Sequence, residues 1–128
     1  MRLIILFVLT LFSIFNSAFA ASTEKTLQML NGLHNREVCF KAIKNDQVQV
    51  SFTSDREIEF GIHWHSGGIY NTKTHELIPT TTAQKSSYNI VIPSDNQYCL
   101  DFYRLKTDDL SISFDIKLVY SISHPMDH

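Results

Sequence analysis

From Glu37 onward, apolar residues return at every second position. Val38, Phe40 and Ala42 alternate with Cys39 and Lys41, and Asn45-Asp46 then supplies a turn. Val48, Val50 and Phe52 alternate with Gln47, Gln49 and Ser51 as far as a second turn signal at Ser54-Asp55. Ile58, Phe60, Ile62 and Trp64 alternate with Glu57, Glu59, Gly61, His63 and His65, and Ser66-Gly67-Gly68 breaks that run. Tyr88, Ile90 and Ile92 lead into the turn Pro93-Ser94-Asp95-Asn96. Tyr98, Leu100 and Phe102 follow, with Cys99 on their opposite face. After Thr107-Asp108-Asp109 comes the longest alternation: Leu110, Ile112, Phe114, Ile116, Leu118, Tyr120 and Ile122. A period of two puts successive side chains on opposite faces of a strand. Short strands at regular spacing, each with one apolar face, predict an all-β chain folded as a single antiparallel β-sandwich of jelly-roll-like type.

Two stretches resist this reading. Ser22 to Asn31 fits either a short helix capped by Ser22 or Thr23 and stopped by Gly32, or an edge strand. Ile69 to Ser87, with Pro79 and the run Thr80-Thr81-Thr82, reads as a long connection with a short strand at either end.

Composition narrows the function classes. Of 128 residues, 11 are Lys or Arg and 13 are Asp or Glu, a formal charge of −2. Phosphate binding needs a clear basic excess, so nucleic acid is excluded as a partner. The first 20 residues have the form of a secretory signal: Arg2, an almost wholly apolar stretch from Leu3 to Phe15, then Ala18-Phe19-Ala20 as a small-x-small cleavage site. No second apolar stretch could span a bilayer, so no membrane span is expected in the mature chain. The division expected is a signal peptide over residues 1–20, an N-terminal segment over 21–36, a β-sandwich domain over 37–122 and a flexible tail over 123–128. The product belongs in the periplasm or outside the cell. Two cysteines, Cys39 and Cys99, form an even count in an exported chain, which reads as a structural disulfide. A redox or metal-binding thiol pair is the functional alternative.

Val38-Cys39-Phe40 in the first clear strand, Tyr98-Cys99-Leu100 in a late one, and Glu57-Ile58-Glu59-Phe60-Gly61-Ile62-His63 between them resemble the GOLD domain. That domain is the lumenal β-sandwich of emp24-type cargo receptors, and the pattern is closer still to small exported bacterial proteins of GOLD-like type. The resemblance covers about Glu37 to Tyr120. It implies a disulfide from Cys39 to Cys99 and a binding or interaction module in place of an enzyme. The chain lacks the receptors' coiled coil, transmembrane helix and cytoplasmic tail, so their transport role does not carry over.

The histidines carry the candidate chemistry. Residues i and i+2 of a strand share a face about 7 Å apart, so His63 and His65 lie together, away from the apolar face of Phe60, Ile62 and Trp64. Two imidazoles at that spacing can hold one Cu²⁺ or Zn²⁺. Glu59 shares the face as a ligand or as an acceptor behind one, and His75 could fold back from the irregular connection as a third ligand. The bland alternative is a pair of ordinary surface histidines. The tail His124-Pro125-Met126-Asp127-His128 is a rival metal site, read here as a polar end whose histidines are accidental. Trp64 is expected as a core anchor. No Gly-x-Ser-x-Gly turn is present and no nucleophile stands out, so no enzyme is expected. Two readings follow. The first is a small exported non-catalytic module that binds an envelope or extracellular protein. The second is a periplasmic copper- or zinc-binding protein using His63-x-His65.

Overall fold

A computed structural model describes residues 21–67, 70 and 72–125, so the expected signal peptide and the end of the tail lie outside the described residues. Those residues form six antiparallel strands: β1 (Thr23–Met29), β2 (Asn35–Ala42), β3 (Gln47–Ser66), β4 (Lys73–Val91), β5 (Asn96–Arg104) and β6 (Phe114–Ser123). No helix of the described residues is long and apolar enough to cross a membrane.

β3 organises the rest. Along one edge its first half, Gln47 to Ser54, pairs with β6, and its second half, Ile58 to Trp64, pairs with β5. Along the other edge β4 follows it through both halves. One sheet therefore runs β1-β6-β3-β4 and the other β2-β5-β3-β4, with the β3–β4 hairpin common to both. The fold-over lies where the ladder to β4 breaks. Thr53 pairs with Lys85 and Ile58 with Ala83, so Ser54 to Glu57 bulge out opposite Gln84 alone. A bulge bends its strand and sharpens the twist, which turns one long strand into the corner of a sandwich.

Side-chain parity survives the bend. Val48, Val50, Phe52, Ile58, Phe60 and Ile62 are all buried on the same side of β3 and face a single core with Phe40, Ile90, Leu100, Phe102, Phe114, Ile116 and Leu118. Phe52, Phe60 and Phe102 form its centre, with ring centroids 4.8 to 5.6 Å apart in tilted and edge-on geometries.

One open alternative is settled and four expectations are corrected. Ser22 to Asn31 resolves to a strand, because β1 pairs with β6 from Thr23–Tyr120 to Met29–Phe114 and buries Leu27 and Met29. Ser54-Asp55 does not end a strand; it is the bulge. The region read as a long connection is largely β4, a 19-residue strand. Its sequence hides this because it lies along an outer edge and keeps most of both faces exposed, so no apolar period develops. Pro79 is tolerated there because β4 carries extra residues between its partners to Phe60, Ile62 and His63. At the end of the chain, Leu110 and Ile112 belong to a loop and β6 starts at Phe114. Trp64 is only partly buried, packed at the margin of the core.

Loop geometry at one end depends on Arg104. Its side chain is buried, and its guanidinium donates to the carbonyls of Leu33, Asp109, Ile112 and Leu30 at 2.9, 3.1, 2.7 and 3.0 Å. One cation thereby ties the β1–β2 loop to the β5–β6 loop. Gly32, at φ +85°, makes the turn of the first loop and donates its N–H to the Leu110 carbonyl at 2.8 Å.

Phe60→Ala should cost about 3–5 kcal/mol of unfolding free energy, because its site is walled by Phe52, Tyr88 and Phe102 and cannot collapse. Chemical denaturation measures it, and a loss below about 1 kcal/mol would contradict the core described.

Candidate functional site

The outer face of the β2-β5-β3-β4 sheet gathers the reactive side chains. β3 contributes Glu59, Gly61, His63 and His65 by strand parity. β5 contributes Cys99, Asp101 and Tyr103, β2 contributes Glu37 and Cys39, and β4 contributes Thr74 and Glu76. Cys39 and Cys99 stand directly opposite each other across β2 and β5 and form a disulfide, with Cα atoms 4.0 Å apart. Their sulfurs are joined, so they offer no thiolate to a ligand.

His63 and His65 lie side by side, with their Nε2 atoms 3.1 Å apart. His65 Nδ1 is 3.1 Å from Thr74 Oγ1, and His63 Nδ1 makes a short hydrogen bond to Asp101 Oδ2. One assignment of neutral tautomers satisfies the whole chain: Thr74 O–H donates to His65, His65 Nε2–H to His63, and His63 Nδ1–H to Asp101. A depression of about 260 Å³ lies over this row, lined in part by Gly61, His63, His65, Thr74, Glu76 and Asp101.

Gly61 makes the hollow. β5 sets Asp101 opposite it, and β4 bulges across it: a Cβ at Gly61 would lie 3.1 Å from Thr80 Oγ1 and 3.2 Å from the Ile78 carbonyl oxygen. A methyl group in Gly61→Ala would fit only if the Thr80 side chain and the Ile78 carbonyl gave way by a few tenths of an ångström.

The other two residues expected near the histidines lie elsewhere. Glu59 is two pleats along β3, about 13 Å from His63 at strand spacing, beside Tyr103 and Thr82. His75 pairs with Trp64, stacks on its indole at 4.2 Å and bonds Ser66 Oγ at 2.6 Å. It therefore sits on the side of the sheet opposite His63 and His65. Of the tail histidines, His124 meets the buried Asp46 carboxylate at 2.6 Å, and His128 lies outside the described residues.

Sequence reasoning passed over Asp101 and Glu37. Asp101 is only 4% exposed, and its Oδ1 atom is buried. Glu37 is its partner across the β2–β5 ladder. Ligand atoms of Glu37, His63 and Asp101 all lie within 4.8 Å of one another. A signal for them existed: in an antiparallel pair, the residue two before one bridged cysteine falls opposite the residue two after the other. Burial raises the Asp101 carboxyl to about 6; the His63 hydrogen bond opposes the shift and the neighbouring Glu37 carboxylate adds to it. Asp101 and Glu37 also help raise the Tyr103 phenol, after its own burial.

No known protein family matches the chain, and no match is found among curated proteins. Solved structures are similar to it in shape. The periplasmic inhibitor of g-type lysozyme from Aeromonas hydrophila, PliG, superposes with a TM-score of 0.56 over 84% of this chain and 89% of its own, at 12% identity. The pre-peptidase C-terminal domain of a Bacillus anthracis collagenase superposes at 0.45 over 80% and 89%, at 14% identity. At such identities the likeness to PliG establishes a shared all-β fold and nothing about the site.

The raised Asp101 pKa has a thermodynamic consequence. Between the unfolded value of 3.8 and about 6, the folded protein holds a proton that the unfolded chain has released. Stability contributed by that proton is present in acid and is lost as pH rises through this window. The facing groups are Glu37 on β2, His63 and His65 on β3, and Glu76 on β4. Asp101→Asn keeps the shape and removes the charge. In thermal melts with chelator present, the variant should melt above wild type at pH 7, and the gap should narrow at pH 4.5. A gap independent of pH would contradict the assignment.

Proposed function

We propose that this chain is an exported, non-catalytic β-sandwich module of the cell envelope that acts by binding a protein partner through its Arg104 end. The observation carrying this reading is a set of exposed leucines on a preorganised frame. Leu30, Leu33 and Leu110 are 47%, 38% and 40% exposed on the β1–β2 and β5–β6 loops. Isolated surface leucines need no explanation, but these stand on two loops whose carbonyls are held by one buried guanidinium. Loops fixed in advance lose little entropy on binding, so apolar contact made there is converted efficiently into affinity. Beside them, Arg56 and Asp108 form a two-pronged ion pair at 3.1 and 2.5 Å, a polar border to the apolar end. The Arg56 guanidinium holds the Asp108 carboxyl below the ordinary range. PliG supports the reading as a solved example of this fold at work as a periplasmic inhibitor of another protein.

Leu33→Asp/Leu110→Asp tests it, since both side chains already face solvent and the fold should survive. Cross-linking in the native compartment should join the wild type to a discrete partner, and the double variant should lose that species while its melting temperature stays within a few degrees. A purified partner, g-type lysozyme being the first to assay, should bind the variant at least about 30-fold more weakly, as expected when a central apolar anchor worth about 2 kcal/mol is lost. Equal cross-linking by both proteins would place the interface elsewhere.

A further inference from the structure

The carboxylates facing each other across β2 and β5 lead beyond partner binding. Like charges directly opposite on neighbouring strands destabilise a sheet, and a buried charge is costly unless something compensates it. Glu37 and Asp101 violate both rules. Register fixes them opposite each other, Asp101 is sealed in the sheet, and no Lys or Arg is placed against them by an ion pair among the described residues. His63 occupies one Asp101 oxygen, and the other, buried, has a hydrogen bond only to Glu37 and only while one of the two acids holds a proton. On the remaining side stands Gly61, which contributes no side chain.

We infer that Glu37, His63 and Asp101 form a binding site for one divalent cation, with Zn²⁺ as the ion its ligands suit. One imidazole nitrogen and two carboxylates are a ligand set zinc accepts, at about 2.0–2.2 Å from each donor. Two donors of a tetrahedral zinc lie about 3.3 Å apart. The observed set lies within 4.8 Å, so Glu37 closes on an ion by up to about 1.5 Å while the shorter His63–Asp101 contact opens to admit it. The exposed Glu37 side chain can supply that movement. His63 would bind through Nδ1. Its Nε2–H then donates to His65 Nε2, and His65 Nδ1–H to Thr74 Oγ1, which reverses those two hydrogen bonds while the ion replaces the proton between His63 and Asp101. His65 becomes the residue that orients His63, the role carboxylates and carbonyls take behind most metal-bound imidazoles.

A rival position exists between the two Nε2 atoms, whose 3.1 Å separation is close to the roughly 3.3 Å between two ligands of a tetrahedral zinc. An ion held there would touch neither carboxylate and would leave Glu37 and Asp101 facing each other without a cation. The buried oxygen and the opposed pair of carboxylates belong to Asp101 and Glu37.

The test titrates ZnCl₂ alone, by calorimetry, into untagged, chelator-stripped protein with its disulfide intact. Wild type should bind one ion with a Kd of about 10 µM or tighter. Asp101→Asn and Glu37→Gln should each weaken binding at least about 100-fold, His65→Ala less than about tenfold, and truncation before His124 should leave it unchanged. Zinc should raise the melting temperature of wild type and leave Asp101→Asn unmoved. A cooperative melt and an unchanged circular dichroism spectrum of Asp101→Asn without metal show that loss of binding there is not a folding defect. Absence of binding by wild type at 100 µM zinc overturns the site. So does tight binding retained by either carboxamide variant, or loss of binding on His65→Ala or tail truncation.

Discussion

The bridge between Cys39 and Cys99 fixes the register of β2 against β5, and the chemistry of the outer face follows from that register. A slip of one residue would turn every side chain of β2 over, bringing Val38 and Phe40 out of the core and putting Glu37 into it. With the register fixed, Glu37 must face Asp101. The next strand then sets Gly61 beside the same aspartate and His63 one pleat away, beside Cys99. The covalent link closes a span of 60 residues, which in the chain-entropy view restricts the unfolded state by roughly 4 kcal/mol. That is ample to hold two carboxylates at a separation they would otherwise avoid.

The second constraint is the continuity of β3. It serves both sheets, so the polar face and the core are two sides of one strand: Phe60 and Ile62 are sealed beneath while Gly61 and His63 line the depression above. Two centres therefore lie on one rigid frame. Arg104 organises the loops at one end of β5, and Asp101, three residues earlier, organises the carboxylate cluster. A partner held at the leucine end and an ion held at Asp101 would be separated by about 10 Å of the same strand.

The core was legible because strand parity is a strict rule, and it named Phe40, Phe52, Phe60, Phe102 and Phe114 from sequence alone. Parity failed where other forces set the backbone. At Ser54-Asp55, turn-forming residues sit in a bulge that β4 spans, with Gln84 reaching the Asp55 carbonyl at 3.3 Å. At Leu110 and Ile112, alternation continues in the sequence while Arg104 captures the carbonyls of Asp109 and Ile112 into a loop. β4 gives no period because so little of it is buried. For the site, parity was enough to put His63 and His65 together. It could not supply His75, whose partner Trp64 takes it to the other face, nor Asp101 and Glu37, which emerge only when two strands are paired in register.

A buried acid opposite a second acid, in a structure otherwise well satisfied, is the feature on which the ion site stands. Diffraction from crystals of the chelator-stripped protein soaked in Zn²⁺, recorded at the zinc absorption edge, tests it most directly. The account predicts an anomalous peak about 2.0–2.2 Å from oxygens of Glu37 and Asp101 and from His63 Nδ1. A peak between the Nε2 atoms of His63 and His65, or none on this face, would contradict it.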